Sequence, residues 1–226
     1  MVRDNIDLED DLSPSPSRLV DSLRDTGYSY QAAFADLIDN SVAAGASNVH
    51  VELNENFLGT DIVVNFFDDG EGMNEPSLVN AMRYGSAKRV SPKSLGKFGM
   101  GLKTASTAFC RKLTVISLKD ESLSGRCWDI DKIKEENRWV LIKPDLSDYA
   151  EQIDRLNEIA INGSGTVVIW EKVDRLIAAS GTDYKQQALE RVVEEIRDHL
   201  SATFGKFLLG RNDSERIGSE LSLIHI

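Results

Sequence analysis

The spacing of apolar residues divides the chain into segments of helical and of strand periodicity. "SRLVDSLRDTGYSY" predicts a short helix, with Ser17 placed to cap its start and Gly27 to end it. A second helix is predicted from about Ser29 to Ala44 and closed by Gly45; Phe34, Leu37, Ile38 and Val42 form its apolar face. The pattern then switches to alternation. "NVHVELNE" and "DIVVNFFDD" read as half-buried strands, and "NFLGT" between them predicts a hairpin. "GEGMN" turns the chain and "EPSLVNAMRYG" predicts a short helix. "GKFGMGLKTASTAFC" reads as a Gly-rich turn entering another helix. "KLTVISLK", "GRCWDID", "RWVLIK" and "GSGTVVIWEKV" predict further strands. "LSDYAEQIDRLNEIA" predicts a charged helix or lid over the sheet, and "DYKQQALERVVEEIRDHLSATFGKFL" a long amphipathic helix.

Strands and helices in this irregular order predict an α+β fold, a two-layer α/β sandwich with a mixed sheet and helices on one face. No internal repeat is present. Residues 1–16 are acidic and contain "SPSPS", which predicts a flexible arm. Residues 17–205 form the predicted domain, and 206–226 either begin a downstream region or are a non-native tail. "GSELSLIHI" fits no element and resembles translated cloning or adapter sequence, so the natural chain is expected to continue past about Arg216.

Composition narrows the function classes. The chain has 226 residues and a net charge of −11, which argues against general nucleic-acid affinity; such contact is expected only through domains further downstream. No apolar run is long enough to span a membrane, and the acidic start lacks the features of a signal peptide. Cys110 and Cys127 show no metal-ligand spacing, so neither a disulfide framework nor a zinc site is expected, and the protein is placed in the cytoplasm. Charge is unevenly spread, however. From Arg83 to Lys103 the sequence is "RYGSAKRVSPKSLGKFGMGLK", basic throughout and free of Asp and Glu. A solvated loop would account for it; so would a loop that meets an anion.

Three constellations could carry chemistry. Asp36 and Asn40 lie four apart on the second helix, so their side chains converge on one flank, where a carboxylate and an amide carbonyl can hold a divalent cation or a water bound to one. A polar helix flank would look the same. In "FFDDGEGMN", Asp68 ends an apolar strand, and Gly70 and Gly72 let the backbone turn and come close to something flat or bulky. Such a carboxylate can accept a hydrogen bond from an exocyclic amine; an acidic turn is the alternative. An EF-hand is excluded, because Phe67 falls where an oxygen ligand belongs and Pro76 replaces the closing Glu. "GKFGMGLKT" fails the P-loop order, since Leu102 separates Gly101 from Lys103, but small residues entering a helix still present backbone N–H groups to an anion. Close helix packing would also explain the glycines. Gly165 and Thr166 opening a late strand are, by themselves, only a turn.

The order and spacing of these segments resemble the GHKL ATPase superfamily. That superfamily includes DNA gyrase B, the ninety-kilodalton heat-shock chaperones, bacterial histidine kinases, mismatch-repair MutL proteins and the MORC ATPases. "DLIDNS", "FDDGEGM", "SLGKFGMGLKTAS" and "GTVVIW" look closest to the MORC-like and bacterial stand-alone branch, and the resemblance runs from about Arg18 to Gly205. It implies the Bergerat ATP-binding fold, with ATP and Mg²⁺ as ligands. It also implies roles: Asp36 polarises the attacking water, Asn40 binds Mg²⁺, Asp68 bonds the adenine amine, Gly70 and Gly72 shape the pocket, and Met73 packs by the base. Thr166 would support the same polar network. The basic segment, with Ser86, Lys88 and Lys97, would be the ATP lid, and Gly99, Gly101 and Lys103 would sit at the phosphates.

The resemblance further implies slow Mg²⁺-dependent hydrolysis and an ATP-dependent homodimer that works as a conformational clamp. Two departures bear on turnover. Asp36 stands where most members have Glu, and Ala43 where many have Asp. A nucleotide-gated binding module with little turnover is therefore the second reading. A histidine kinase catalytic domain is the third; His50, His199 and His225 fall in a predicted strand, a late helix and the doubtful tail, and no helix bearing a phospho-acceptor His precedes the first motif.

Overall fold

The computed structural model describes residues 14–55, 61–84, 101–160, 162–177 and 182–208. The chain opens with α1 (Pro16–Arg24), whose first turn carries the proline that needs no hydrogen-bond acceptor there. Next is α2 (Tyr30–Ala43), started by Ser29, whose side chain accepts from the Ala32 N–H at 3.2 Å. β1 (Val49–Glu55), β2 (Ile62–Asp68), α3 (Glu75–Met82), α4 (Gly101–Phe109), β3 (Cys110–Lys119) and β4 (Ser122–Asp129) follow. The remainder is α5 (Ile130–Glu136), β5 (Leu141–Ile142), a 3₁₀ turn (Leu146–Tyr149), α6 (Ala150–Ile159), β6 (Gly165–Val173) and α7 (Thr182–Leu208). Asn74 caps α3 through the Ser77 N–H at 3.1 Å.

The strands form one six-stranded sheet in the order β1-β2-β6-β3-β4-β5. Every pair in it is antiparallel, so the expected mixed sheet is corrected. The reason lies in β6. The connection through α3 and α4 carries the chain back across the sheet, so β2 and β3 run parallel, but β6 inserts between them and is antiparallel to both. The α+β class stands.

Side chains alternate across the strands and build two cores. Val64 and Phe66 of β2, Leu113 and Val115 of β3, and Val168 and Trp170 of β6 face the main helical layer. Phe34 of α2 seats against this face, with ring centroids 4.9 Å from Phe66 and 5.3 Å from Trp170 in edge-to-face geometry. The second face carries Phe67, Ile116, Leu118, Val167 and Ile169, and is covered by Tyr149 with Leu156 and Ile159 of α6. Helices therefore lie on both faces, which corrects the expectation of one. The charged α6 segment is the cover that its sequence suggested. Among the described residues, no helix is long and apolar enough to cross a membrane.

Candidate functional site

The chemistry-bearing residues gather where β2 ends and β6 begins. Asp68 is the last residue of β2 and lies opposite Thr166. Its side chain is only 6 % exposed. One carboxylate oxygen accepts the Gly70 N–H at 3.0 Å and the other the Ser41 hydroxyl at 2.9 Å. The Thr166 N–H donates to it as well. Burial dominates all the same and pushes the Asp68 carboxyl up to about 6, against the hydrogen bonds, which lower it. The adjacent Asp69 has a different task. It accepts from the Ser47 and Asn48 N–H groups, both at 2.7 Å, and from the Asn48 side chain at 2.8 Å, sealing the turn after α2.

Ser117 extends the network from β3. With its hydrogen directed to the Gly165 carbonyl at 3.0 Å, it accepts from the Met73 N–H at 2.8 Å and from the Thr166 hydroxyl at 2.8 Å. Asp68, Thr166, Ser117 and Met73 are thus one connected set, and the Met73 side chain packs against the main core. The glycines fix how tightly this set closes. A Cβ on Gly70 would lie 2.9 Å from the Ala44 Cβ. On Gly72, at φ +60°, it would lie 2.0 Å from the Leu118 carbonyl oxygen. Both glycines therefore shape the site by letting the turn press onto α2 and β3.

A second group sits on the flank of α2. The Asn40 amide nitrogen donates to the Asp36 carbonyl at 2.8 Å. A carbonyl can only accept, so this bond fixes the amide orientation and leaves Oδ1 as the atom available to a cation. The Tyr28 hydroxyl donates to Asp36 Oδ2. The same oxygen would be 3.6 Å from a Cβ on Gly101, so Asp36 stands directly over the first residue of α4. Asp39, half-buried beside it, is held above the usual carboxylate range by burial and by the Asp36 charge. Among the described residues, no three His, Cys, Asp or Glu side chains gather as a metal site. A divalent ion here would take Asn40 and draw its other oxygens from a ligand or water, the usual habit of Mg²⁺ at phosphates.

The two groups share one helix. Asn40 faces the flank, and the next residue, Ser41, bonds Asp68. The structure thus brings Asp36, Asn40 and Gly101 together, and Asp68, Gly70, Gly72, Met73 and Thr166 together. Lys103 is placed elsewhere: it is 1 % exposed, its ammonium donates to the Ala81 carbonyl at 2.7 Å, and it lies 5.8 Å from the Tyr84 ring centroid. Ser86, Lys88, Lys97 and Gly99 lie outside the described residues.

Three participants were given no role from sequence. Ser41 falls on the buried stripe of α2, where Val42 was expected and is only half-buried. A polar residue on that stripe, facing a strand-end Asp, was the available signal. Ser117 and Tyr28 gave none, because each meets its partners only through the fold.

Comparison with known proteins assigns the class. Residues 28–166, more than half of the chain, match the family described as histidine kinase-, DNA gyrase B-, and HSP90-like ATPase. The chain belongs to this family, and it carries the family's ATP-binding domain. Within it, the chain is similar to MORC ATPases. It is 32% identical to ATPase morc-1 of Caenorhabditis elegans over 93 residues, covering 39% of this chain and 10% of the relative. It is 35% identical to Protein MICRORCHIDIA 7 of Arabidopsis thaliana over 89 residues, covering 38% and 13%. It is 29% identical to ATPase MORC2B of Mus musculus over 96 residues, covering 41% and 9%. The chain therefore spans about a tenth of the length of these curated relatives.

Proposed function

We propose that this domain binds ATP with Mg²⁺ and hydrolyses it slowly, and that binding drives closure and dimerisation of the full-length protein. The observation that carries the reading is the arrangement on α2. One helix presents Asp36 and Asn40 on its flank while its Ser41 holds the buried carboxylate of Asp68. Asp68 would accept from the exocyclic amine of adenine, which selects ATP over GTP. Asn40 Oδ1 would meet the metal. The ion supplies charge neutralisation at the phosphates. Asp36, over the start of α4, would orient a water for in-line attack on the γ-phosphorus. The new bond joins water oxygen to phosphorus, the proton passes to Asp36, and the bond to the β-phosphate oxygen breaks to leave ADP. The basic stretch after Arg83 would supply cations to the phosphates, and α7 would lead toward a following transducer region.

Asp36→Asn is expected to keep ATP binding and to lose hydrolysis by about 10²–10⁴-fold, because the amide cannot take the proton. Single-turnover phosphate release at saturating ATP, with binding read by thermal stabilisation, measures both. Unchanged hydrolysis would remove Asp36 from the mechanism. A second reading, a nucleotide-gated module with little turnover, is favoured by Asp36, one methylene shorter than the Glu that most members of the resembled superfamily carry there. Dimer formation on ATP with negligible phosphate release would select it.

A further inference from the structure

We infer that Tyr28 is a positioning residue for hydrolysis, holding the Asp36 carboxylate over the N-terminus of α4 so that its second oxygen faces the reacting water. The inference rests on the reading of Asp36 given above. Three observations carry it. First, the phenol donates to one oxygen only, Oδ2. The carboxylate is tethered at Oδ2 while Oδ1 accepts no hydrogen bond from the described protein groups. Secondly, Tyr28 is itself held at both ends. Its backbone lies between Gly27, in a left-handed turn at φ +72°, and Ser29, the cap of α2. Its ring packs against the main core. A side chain anchored in this way transmits the position of the core to Asp36. Thirdly, the same Oδ2 would lie 3.6 Å from a Cβ on Gly101, an ordinary contact distance, so the carboxylate sits beside the first residue of α4.

The chemistry suits the role. Burial and the Asp36 charge hold the Tyr28 hydroxyl up at about 12, so it remains a donor at any working pH. An aspartate has two side-chain torsions, and with Oδ2 unbound it would sweep Oδ1 across several rotamers. Fixing it confines Oδ1 to the geometry in which a proton can be taken. Misplacement of a reacting group by about 1 Å can cost on the order of 100-fold in rate. The bond from Tyr28 therefore acts on turnover and leaves nucleotide affinity alone.

The test is Tyr28→Phe, which keeps the ring and its packing and removes only the hydroxyl. Single-turnover phosphate release is expected to fall about 10- to 100-fold, with unchanged affinity for a non-hydrolysable ATP analogue and an unchanged Tm. In the Asp36→Asn background, the same substitution is expected to cause no further loss. Wild-type turnover in Tyr28→Phe would overturn the inference, as would a rise, which would make the phenol a restraint. A fall of equal size in the Asp36→Asn background would show that Tyr28 does not act through Asp36. If Asp36→Asn alone turns over normally, the role of Asp36 as base fails instead, a result separable from these.

Discussion

At the scale of single residues, Asp68 answers opposing demands. As the proposed acceptor for an adenine amine it serves best when ionised, yet it is buried in the fold. Unfolded, such a carboxyl titrates near 3.8; folded, it is pushed up to about 6. Between those values the native state binds more protons than the unfolded one. Its stabilising contribution is therefore fully present below about 3.8 and is lost as pH rises through about 6. The loss is on the order of 3 kcal/mol. Denaturant unfolding of the wild type and Asp68→Asn from pH 4 to 7 isolates it. The stability of the wild type relative to the variant should decline across that window. A constant difference would mean that Asp68 is ionised throughout. The hydrogen bonds from Ser41, Gly70 and Thr166 keep the effect from being larger, and an adenine amine would favour the charged form in the same way.

Among the elements, the turn after β2 shows how the site depends on backbone approach. Gly72 combines φ +60° with a Cβ position 2.0 Å from the Leu118 carbonyl oxygen. Gly27 has φ +72° and nothing within 4 Å. Gly27→Ala should therefore cost only the left-handed backbone term, roughly 1 kcal/mol, and Gly72→Ala at least about 2–4 kcal/mol, because β3 must also give way. Chemical denaturation of both variants separates the two contributions; equal losses would show that the turn can relax away from β3. This contrast bears on what the sequence could reveal. Local signals were legible: the face of α2, the alternation in β1 and β2, Gly72 in its turn, and Asp68 at a strand end. Partner choice was not. Nothing in "GTVVIW" says that β6 enters between β2 and β3, which is why the sheet was expected to be mixed. Lys103 was expected at the phosphates from its spacing to Gly101; that spacing gave no hint of the Ala81 carbonyl of α3, to which its ammonium donates. Tyr28 and Asp36 are near in sequence, but Tyr28 lies before the cap of α2, so its reach to Asp36 depends on how the chain enters the helix.

Across the whole molecule, the sheet has an end that carries the candidate site and a structural end. Asp68 and Thr166 mark the first. About eight residues further along β6, roughly 25 Å at strand rise, a charged network closes the second. Arg24 of α1 is buried there, donating to the Thr107 carbonyl in the last turn of α4 at 2.8 Å and pairing with Asp174. Arg111 binds the same Asp174 at 3.5 Å and Asp131 at 2.9 Å, and Lys172 binds Asp131 at 2.8 Å and Asp129 at 3.1 Å. The outer pairs are half-exposed and contribute little each. Arg24 differs: it is almost wholly buried, it neutralises the negative end of α4, and it joins α1, α4 and the end of β6 at one point. Arg24→Ala leaves a buried carbonyl without its donor and Asp174 with one cation fewer. A loss of about 3 kcal/mol is expected, lowering Tm by about 5–10 °C for a domain of this size. Affinity for an ATP analogue, measured well below that Tm, should be unchanged, because Asp36, Asn40 and Asp68 keep all their partners. A parallel loss of affinity would show that the two ends of the sheet are coupled through α4, whose first residue lies under Asp36 and whose last turn is held by Arg24.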